Sequence, residues 1–242
     1  MSASPVTSSR PRATTLLGIF AKHWEPGKVK TRLARTIGES HAATLHALFV
    51  GALIERLADV AERRVIAFSP PEARSSFAGV VHDRYELVAQ CDGDLGQRMQ
   101  ALFVAALAWA ERVVLIGSDA PDLPRERLIA AFAALEQSDV VLGPAADGGY
   151  YLLGLARRIP RIFEGIAWGG PDVFQQTTRR ILAAGIRWHE LPPWYDVDEP
   201  ADLTALRKRL REAAGGDPHL SRLATDIDSL MHKAGVPRSA AP

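Results

Sequence analysis

The chain has 242 residues, and its 29 lysines and arginines against 28 aspartates and glutamates give a formal net charge of +1. That balance excludes a protein that works mainly by coating nucleic acid or an anionic membrane. With 47% hydrophobic and 24% charged residues, the composition also excludes disordered, collagenous and fibrous proteins, and it fits one large α/β domain.

The sequence carries no signal for a membrane or for secretion. The longest apolar run, residues 101–110, is about half the ~20 residues needed to cross a bilayer. The first fifteen residues are rich in Ser, Pro and Arg and lack the apolar segment of a secretory signal. A single cysteine, Cys91, can form no internal disulfide and agrees with a reducing compartment. We therefore expect a cytoplasmic protein without a membrane or nucleic-acid partner.

Apolar runs and helical stripes alternate along the chain. The pattern predicts strands at residues 16–21, 65–68, 86–89, 113–116, 140–142, 151–155 and 186–191. Helices are predicted between them, with bounds near 45–57, 95–106, 124–135 and 171–184, and another follows Pro200. Strands separated by such helices predict a mainly parallel sheet covered on both faces, which is a three-layer α/β/α, Rossmann-like fold.

The two ends of the chain are predicted to lie outside this domain. We expect a disordered tail at residues 1–13, a single domain at 14–213, and a C-terminal helix and tail at 214–242. Glycine and proline interrupt the pattern before the last helix. Its apolar positions recur at helical spacing, at Leu220, Leu223, Ile227, Leu230 and Met231.

In open α/β sheets ligands bind beyond the carboxyl ends of the strands, and a basic segment follows the first predicted strand. Between residues 10 and 35 there are seven lysines and arginines and one acid, Glu25. Pro26 and Gly27 permit a tight turn, and a helix starting near Thr31 would direct N–H groups at a phosphate. A solvated basic loop is the alternative. Neither the Walker A pattern nor G-x-G-x-x-G is present.

Acidic side chains follow two other strands. Asp119 comes directly after the strand at 113–116, where a carboxylate could ligate Mg²⁺ or cap a turn, and Asp122 looks more like a turn cap. Asp196 and Asp198 lie in a segment with five acids and no lysine or arginine, residues 190–202. In an extended segment both would point the same way and could share one metal ion, although Asp198 could instead cap the next helix.

Further candidates are weaker. Asp147, Gly148 and Gly149 could form a turn that lets a ligand approach the backbone, or a plain hairpin turn. Trp168 could shape a donor pocket or only precede a helix. The seven histidines are scattered, and His41 and His46 are predicted to lie off the apolar stripe of their helix.

The combination of a basic loop, a strand-end aspartate and a late Asp-x-Asp is suited to a nucleoside di- or triphosphate held with a divalent cation. That cation, Mg²⁺ or Mn²⁺, would neutralise charge on a leaving phosphate. Nucleotidyl transfer and glycosyl transfer from a nucleotide sugar both need this chemistry, so the residues leave both open.

Five ordered motifs carry a resemblance to a known family, over residues 16 to about 210: FAKHWEPGKVKTRLA, GDLGQRM, GSDAPDL, GPAADGGYYLLGL and YDVDEPADL. They resemble the glycosyltransferase-A-like transferases found beside radical-SAM and selenium-related genes, also described as arsenosugar biosynthesis glycosyltransferases. The resemblance implies a nucleotide-diphospho-sugar transferase (GT-A-like) fold, related to the molybdenum-cofactor and phospholactate guanylyltransferases. Trp24 replaces a proline expected in the first motif.

The resemblance also implies roles for individual residues. It places nucleotide or phosphate binding at Lys22, Lys28, Lys30, Arg32, Asp94, Gly96 and Arg98. It places metal ligands at Asp119, Asp196 and Asp198, with Asp119 and Asp198 also catalytic. It places Asp147, Gly148 and Gly149 in the donor or acceptor pocket, to which the residues themselves add Tyr150 and Trp168.

We therefore expect an enzyme, a metal-dependent transferase that moves a glycosyl group from a nucleotide sugar to a small-molecule acceptor. The alternatives are a nucleotidyltransferase that uses a nucleoside triphosphate and a phosphorylated small molecule, and a non-catalytic nucleotide-binding domain. The sequence does not identify the oligomeric state, and a homodimer is possible.

Overall fold

The computed structural model describes residues 12–213 and 216–235 of the chain. The described residues contain seven strands, β1 (Ala13–Lys22), β2 (Arg63–Ser69), β3 (Glu86–Ala89), β4 (Ala110–Ile116), β5 (Val140–Pro144), β6 (Tyr150–Leu155) and β7 (Trp188–Glu190). They form one sheet in the order β3-β2-β1-β4-β6-β5-β7. Of the tail predicted at residues 1–13, the first eleven residues lie outside the described part of the chain. Residues 236–242, at the other end, also lie outside it.

Helices of the described residues flank the sheet. They are α1 (Thr31–Ile37), α2 (Glu39–Arg56), α3 (Arg74–Val81), α4 (Leu95–Trp109), α5 (Arg125–Ala134), α6 (Val173–Ala183), α7 (Pro200–Glu212) and α8 (Pro218–Lys233). Short 3₁₀ turns occur at Pro71–Ala73 and Pro160–Phe163. None of these helices is long and apolar enough to cross a membrane.

The sheet is mainly parallel, as the alternation of strands and helices predicts. β1 pairs in parallel with β2 and β4, β2 with β3, and β5 with β7. Only β6 runs the other way, antiparallel to both β4 and β5. The central strands are near-continuous apolar runs because helices cover both of their faces.

Three apolar clusters hold the layers together. One face of the sheet packs against α2, α3 and α5, and the other packs against α4 and α6. The third cluster joins α1, α2, α7 and α8, with Phe49, Leu206 and Ile227 fully buried. The three-layer α/β/α prediction is confirmed, and α8 packs against α2 and α7.

The direction of β6 decides what lies at the edge of the sheet where a ligand could bind. Ile19 in β1 is opposite Ile116 in β4, and Ile116 is in turn opposite Leu152 in β6. Because β6 is antiparallel, its amino end lies beside the carboxyl ends of β1 and β4. The turn at 147–149 is thereby placed at the same edge as Asp119 and the basic loop.

Candidate functional site

A cavity of about 730 Å³ opens at this edge. Most of the residues selected from the sequence line it: Lys22, Lys28, Lys30, Arg32, Asp119, Asp147, Gly149, Tyr150, Trp168, Asp196 and Asp198. Four others, Asp94, Gly96, Arg98 and Gly148, are not among the lining residues. Segments far apart in the sequence thus converge on one cavity.

Lys30 is the centre of the charged side of the cavity. Its Nζ donates hydrogen bonds to Asp119, to Asp198 Oδ1 at 3.0 Å, and to the carbonyl oxygen of Val197 at 2.8 Å. An ammonium group has three N–H donors, so this group has none left for a phosphate in this arrangement. Its side chain is 2% exposed, whereas those of Asp119 and Asp198 are 42% and 45% exposed. Lys30 therefore serves as an internal counter-ion, and the two carboxylates face the cavity.

The charges around Lys30 stabilise one another. Burial of its ammonium group works to lower its pKa, but the neighbouring Asp119 and Asp198 carboxylates outweigh burial and raise it. Enclosure of Asp119 works to raise the pKa of its carboxyl, but the Lys30 ammonium outweighs it and lowers that pKa. Both groups are consequently charged at neutral pH.

Asp196 has the opposite electrostatic environment. Burial, and then the nearby carboxylates of Asp119, Asp147 and Asp198, raise its pKa to about 7. This part of the cavity therefore holds more negative charge than Lys30 neutralises. An added cation would relieve that repulsion.

The donor set fits a hard divalent cation. The described part of the chain contains no group of three acidic, histidine or cysteine side chains that could ligate a metal ion by themselves. Mg²⁺ usually takes one or two carboxylates and completes its shell with water and substrate phosphates, so it needs no such cage. Asp119 and Asp198 share the Lys30 ammonium, and the pKa of the neighbouring Asp196 is raised first by burial and then by the carboxylates near it.

The basic loop supplies the cations that remain available to a ligand. Lys22 donates one hydrogen bond to the carbonyl oxygen of Lys28, at 2.8 Å, across the turn in which Gly27 has a φ of +77°. The Arg32 side chain is 66% exposed and lies 3.5 Å from Glu199. Lys22, Lys28 and Arg32 can therefore reach phosphate oxygens without breaking a buried ion pair.

His46 is a lining residue that the sequence analysis missed. It is 3% exposed, and its Nε2 lies 3.0 Å from the carbonyl oxygen of Lys22. Burial lowers its pKa, so the ring is neutral and Nε2–H donates to that carbonyl. The prediction that His46 lies off the apolar stripe is wrong. The sequence did indicate that His46 is buried, because it lies three, four and seven residues before Phe49, Val50 and Leu53, and residues so spaced share a helix face.

Asp122 is not the turn cap that the sequence indicated. It is 8% exposed, accepts a hydrogen bond from the Tyr195 hydroxyl, and accepts another from Arg209 Nε at 2.9 Å. The Arg209 guanidinium also lies 3.4 Å from the centre of the Tyr195 ring. These contacts join the loop after β4, the Asp196 segment and α7.

The GDLGQRM segment has a structural task at the rim of the cavity. The Asp94 side chain accepts from Gln97 N at 2.8 Å and caps α4, and Arg98 Nε donates to Gly93 O at 2.9 Å. A Cβ on Gly96 would lie 2.3 Å from Trp168 Nε1. The glycine therefore makes room for Trp168, which lines the cavity in its place.

The Asp147–Tyr150 turn contacts the segment after Trp168. Asp147 Oδ1 accepts a hydrogen bond from Gly149 N at 2.9 Å, and Gly148 has a φ of +89°. A Cβ on Gly148 would lie 1.7 Å from the carbonyl oxygen of Pro171, so only glycine fits. Tyr150 and Trp168 both line the cavity and pack against the apolar cluster of α4 and α6, so they form its apolar side.

Known proteins share this architecture. CMP:2-keto-3-deoxy-manno-octonic acid synthetase, in complex with CTP, aligns with a TM-score of 0.56 and 12% identity over 83% of this chain and 99% of that one. A nucleotidyl transferase from Methanothermobacter thermautotrophicus aligns with a TM-score of 0.58 and 14% identity, over 82% and 99% of the two chains. At these identities the likeness shows the fold. A search of curated proteins found no match.

A more similar protein shows the family. The crystal structure of a "putative nucleotide-diphospho-sugar transferase" from Desulfovibrio desulfuricans G20 aligns with a TM-score of 0.82 and 35% identity, over 91% of this chain and 97% of that one. Residues 53–170 match the model of a family described as "Uncharacterized protein conserved in bacteria (DUF2064)". This chain therefore belongs to the same family as its Desulfovibrio relative and, with it, has the nucleotide-diphospho-sugar transferase fold.

Proposed function

We propose that the protein is a transferase that moves a glycosyl group from a nucleotide sugar to a small-molecule acceptor, with Mg²⁺ or Mn²⁺ as cofactor. One observation carries the proposal: exposed cations, paired carboxylates and an apolar wall line the same cavity. A nucleotide sugar has an anionic diphosphate and, on either side of it, rings with apolar faces. The description of the 35%-identical relative supports the same class of activity.

The lining residues divide the work. Lys22, Lys28 and Arg32 bind diphosphate oxygens, and Lys30 holds Asp119 and Asp198 in position before the metal binds. Asp119 and Asp198, with Asp196 beside them, would hold the divalent cation, which would supply charge neutralisation on the leaving diphosphate. In transfer, the bond from the anomeric carbon to the phosphate oxygen breaks and its electron pair stays with that oxygen. An acceptor hydroxyl oxygen bonds to the carbon, and its proton passes to solvent.

The apolar side binds the rings. Tyr150 and Trp168, next to the Asp147–Gly149 turn, exclude water from the anomeric carbon. Water exclusion strengthens the charged contacts and limits hydrolysis of the donor.

Calorimetric titration of the wild-type protein with nucleoside diphosphates, in Mg²⁺ and in EDTA, tests the binding part of the proposal. We expect binding that needs the metal and that Asp119→Asn weakens by at least about tenfold, or 1.4 kcal/mol. Asp59→Asn is the matched control, because it also removes one carboxylate paired with a basic residue, but outside the cavity. Equal binding in EDTA contradicts the metal requirement.

Mass spectrometry of reactions with a nucleotide-sugar panel tests the chemistry. Release of nucleoside diphosphate with a glycosylated acceptor supports glycosyl transfer. The alternative, a nucleotidyltransferase acting on a phosphorylated small molecule, predicts pyrophosphate release from a nucleoside triphosphate, and the shared fold of nucleotidyltransferases favours this alternative as a second candidate. Binding without either product supports a non-catalytic nucleotide-binding domain.

Narrower assignments follow from the sequence motifs. They suggest the glycosyltransferases found beside radical-SAM and selenium-related genes, including those of arsenosugar biosynthesis. We also propose that the protein acts in the cytoplasm on small molecules, without a nucleic-acid or membrane partner, as a monomer or a homodimer.

A further inference from the structure

The ammonium group of Lys30 occupies the place between two carboxylates where a divalent cation would bind. It contacts Asp119, and it contacts Asp198 Oδ1 at 3.0 Å. A metal ion that bound the same two oxygen atoms would lie almost in contact with the positive nitrogen of Lys30, whose side chain is 2% exposed. Two cations so close repel each other.

Lys30 has a side chain that can leave this place. Its backbone is in the left-handed region, with φ 46° and ψ 43°, directly before α1, and its Nζ lies 5.5 Å from the centre of the Phe49 ring. The long lysine stem lets Nζ move while the backbone stays fixed. The adjacent Lys22, Lys28 and Arg32 surround the region into which ligand phosphates would come.

We propose that the Lys30 ammonium group neutralises Asp119 and Asp198 while no metal is bound, and that a divalent metal displaces this ammonium group instead of binding beside it. On displacement, Nζ loses its bonds to Asp119 and Asp198, and its freed N–H donors become available to a phosphate oxygen. Lys30 thus becomes a phosphate ligand only after the metal has bound. This inference depends on the divalent cation of the proposed function and adds an order of events to it.

Metal affinity of a lysine variant tests the displacement without any substrate. Mn²⁺ binding is measured by electron paramagnetic resonance for the wild type, Lys30→Met and Lys208→Met. Methionine has a similar length and no charge. Lys208→Met makes the same change of net charge at a side chain that is 75% exposed on α7, away from the cavity.

The Mn²⁺ affinity of Lys30→Met should rise if Lys30 competes with the metal and fall if Lys30 helps to hold it. If Lys30 competes with the metal, Lys30→Met binds Mn²⁺ at least about tenfold more tightly than the wild type, and Lys208→Met is unchanged. An unchanged or weaker Mn²⁺ affinity in Lys30→Met overturns the inference. If Lys208→Met tightens binding equally, the effect is one of net charge, and the inference is again overturned.

A measurement on the wild type covers the case in which Lys30→Met does not fold. The Nζ resonance of Lys30, in protein labelled with ¹⁵N-lysine, is followed during titration with Mg²⁺. Displacement predicts a large shift and faster proton exchange as the metal saturates, and an unmoved resonance at saturation overturns it. Metal-dependent nucleotide binding with an unmoved Lys30 would leave the proposed function standing, whereas displacement without nucleotide binding would contradict that function alone.

Discussion

The backbone N–H of Val197 donates a hydrogen bond of 2.9 Å to the carbonyl oxygen of Asp119. The carbonyl oxygen of Val197 accepts from Lys30 Nζ, and its side chain is fully buried among α1, α2, α7 and α8. The residue between the two late aspartates is therefore held on three sides. Because side chains alternate in extended backbone, burial of Val197 turns Asp196 and Asp198 toward the cavity.

Tyr195→Phe is expected to weaken this arrangement. It removes the hydroxyl that donates to the buried Asp122 and leaves Arg209 as the remaining partner of that carboxylate. We expect the free energy of unfolding to fall by about 1–2 kcal/mol, and Mn²⁺ affinity to fall severalfold because Tyr195 precedes Asp196. Urea unfolding and Mn²⁺ titration measure the two effects.

Tyr85→Phe is the control for that substitution. Tyr85 is also buried and donates its hydroxyl to the carbonyl oxygen of Ile54, at 3.2 Å, but it does not line the cavity. Tyr85→Phe should lower the free energy of unfolding without changing Mn²⁺ affinity. An equal loss of Mn²⁺ affinity in both variants would show that Tyr195 has no special influence on Asp196.

Gly96→Ala should displace Trp168 without unfolding the domain. The added Cβ would lie 2.3 Å from Trp168 Nε1, which is too close for the indole to stay where it is. Nucleotide-sugar affinity should fall about tenfold or more while the circular dichroism spectrum is retained. Gly51→Ala, on α2 with no atom within 4 Å of the new Cβ, should bind normally and gain up to about 1 kcal/mol of stability. Normal binding by Gly96→Ala would remove Trp168 from the proposed pocket.

Acid should destabilise the fold partly through Asp139. The hydrogen bond from Arg157 lowers the pKa of its carboxyl, so the unfolded chain takes up this proton before the folded protein does. The stabilisation is therefore complete above about pH 4 and is lost as the pH falls through the lowered folded-state pKa.

Urea unfolding of the wild type and of Asp139→Asn, at pH 7 and at pH 3, measures how much of the stability lost in acid comes from Asp139. The variant should lose less stability between the two pH values, by on the order of 1 kcal/mol, because solvent screens the exposed Arg157 and Arg187. A pH dependence identical in both proteins would exclude Asp139 as a contributor.

Ile227→Ala should destabilise the domain through α8. The side chain is fully buried between α8 and the α2–α7 surface, and its removal leaves a cavity. We expect a loss of about 2–4 kcal/mol in the free energy of unfolding. Mn²⁺ affinity should stay that of the wild type at temperatures where the variant is folded, since Ile227 does not line the cavity. A loss under 1 kcal/mol would mean that α8 adds little to the core.

Strand positions and strand-end aspartates could be predicted because both follow from local patterns. Runs such as Val113–Ile116 are buried on two faces, and the residue after such a run reaches the ligand edge. The direction of β6 was not predictable, because a buried strand reads the same in either direction. Helix α3 was missed because it is only eight residues long and contains the weak helix formers Ser75, Ser76 and Gly79.

Contacts between side chains that are far apart in the sequence could not be predicted either. Lys30 looks like any other lysine of a basic loop, and only the fold shows that its ammonium is buried between Asp119 and Asp198. Asp122 and Arg209 are 87 positions apart, so no spacing rule links them. The site predictions for Asp94 and Arg98 came from the GDLGQRM motif, but its Leu95 and Met99 line the cavity, whereas Asp94 caps α4 and Arg98 bonds Gly93.

The described lining of the cavity holds four basic side chains, Lys22, Lys28, Lys30 and Arg32, and four aspartates, at 119, 147, 196 and 198. A pocket of one sign attracts its ligand from a distance, and high ionic strength suppresses that attraction. Here opposite charges are paired within one cavity, and a metal–diphosphate complex is itself close to neutral. Association should therefore depend only weakly on salt concentration, and ligand selection should come from short-range contacts.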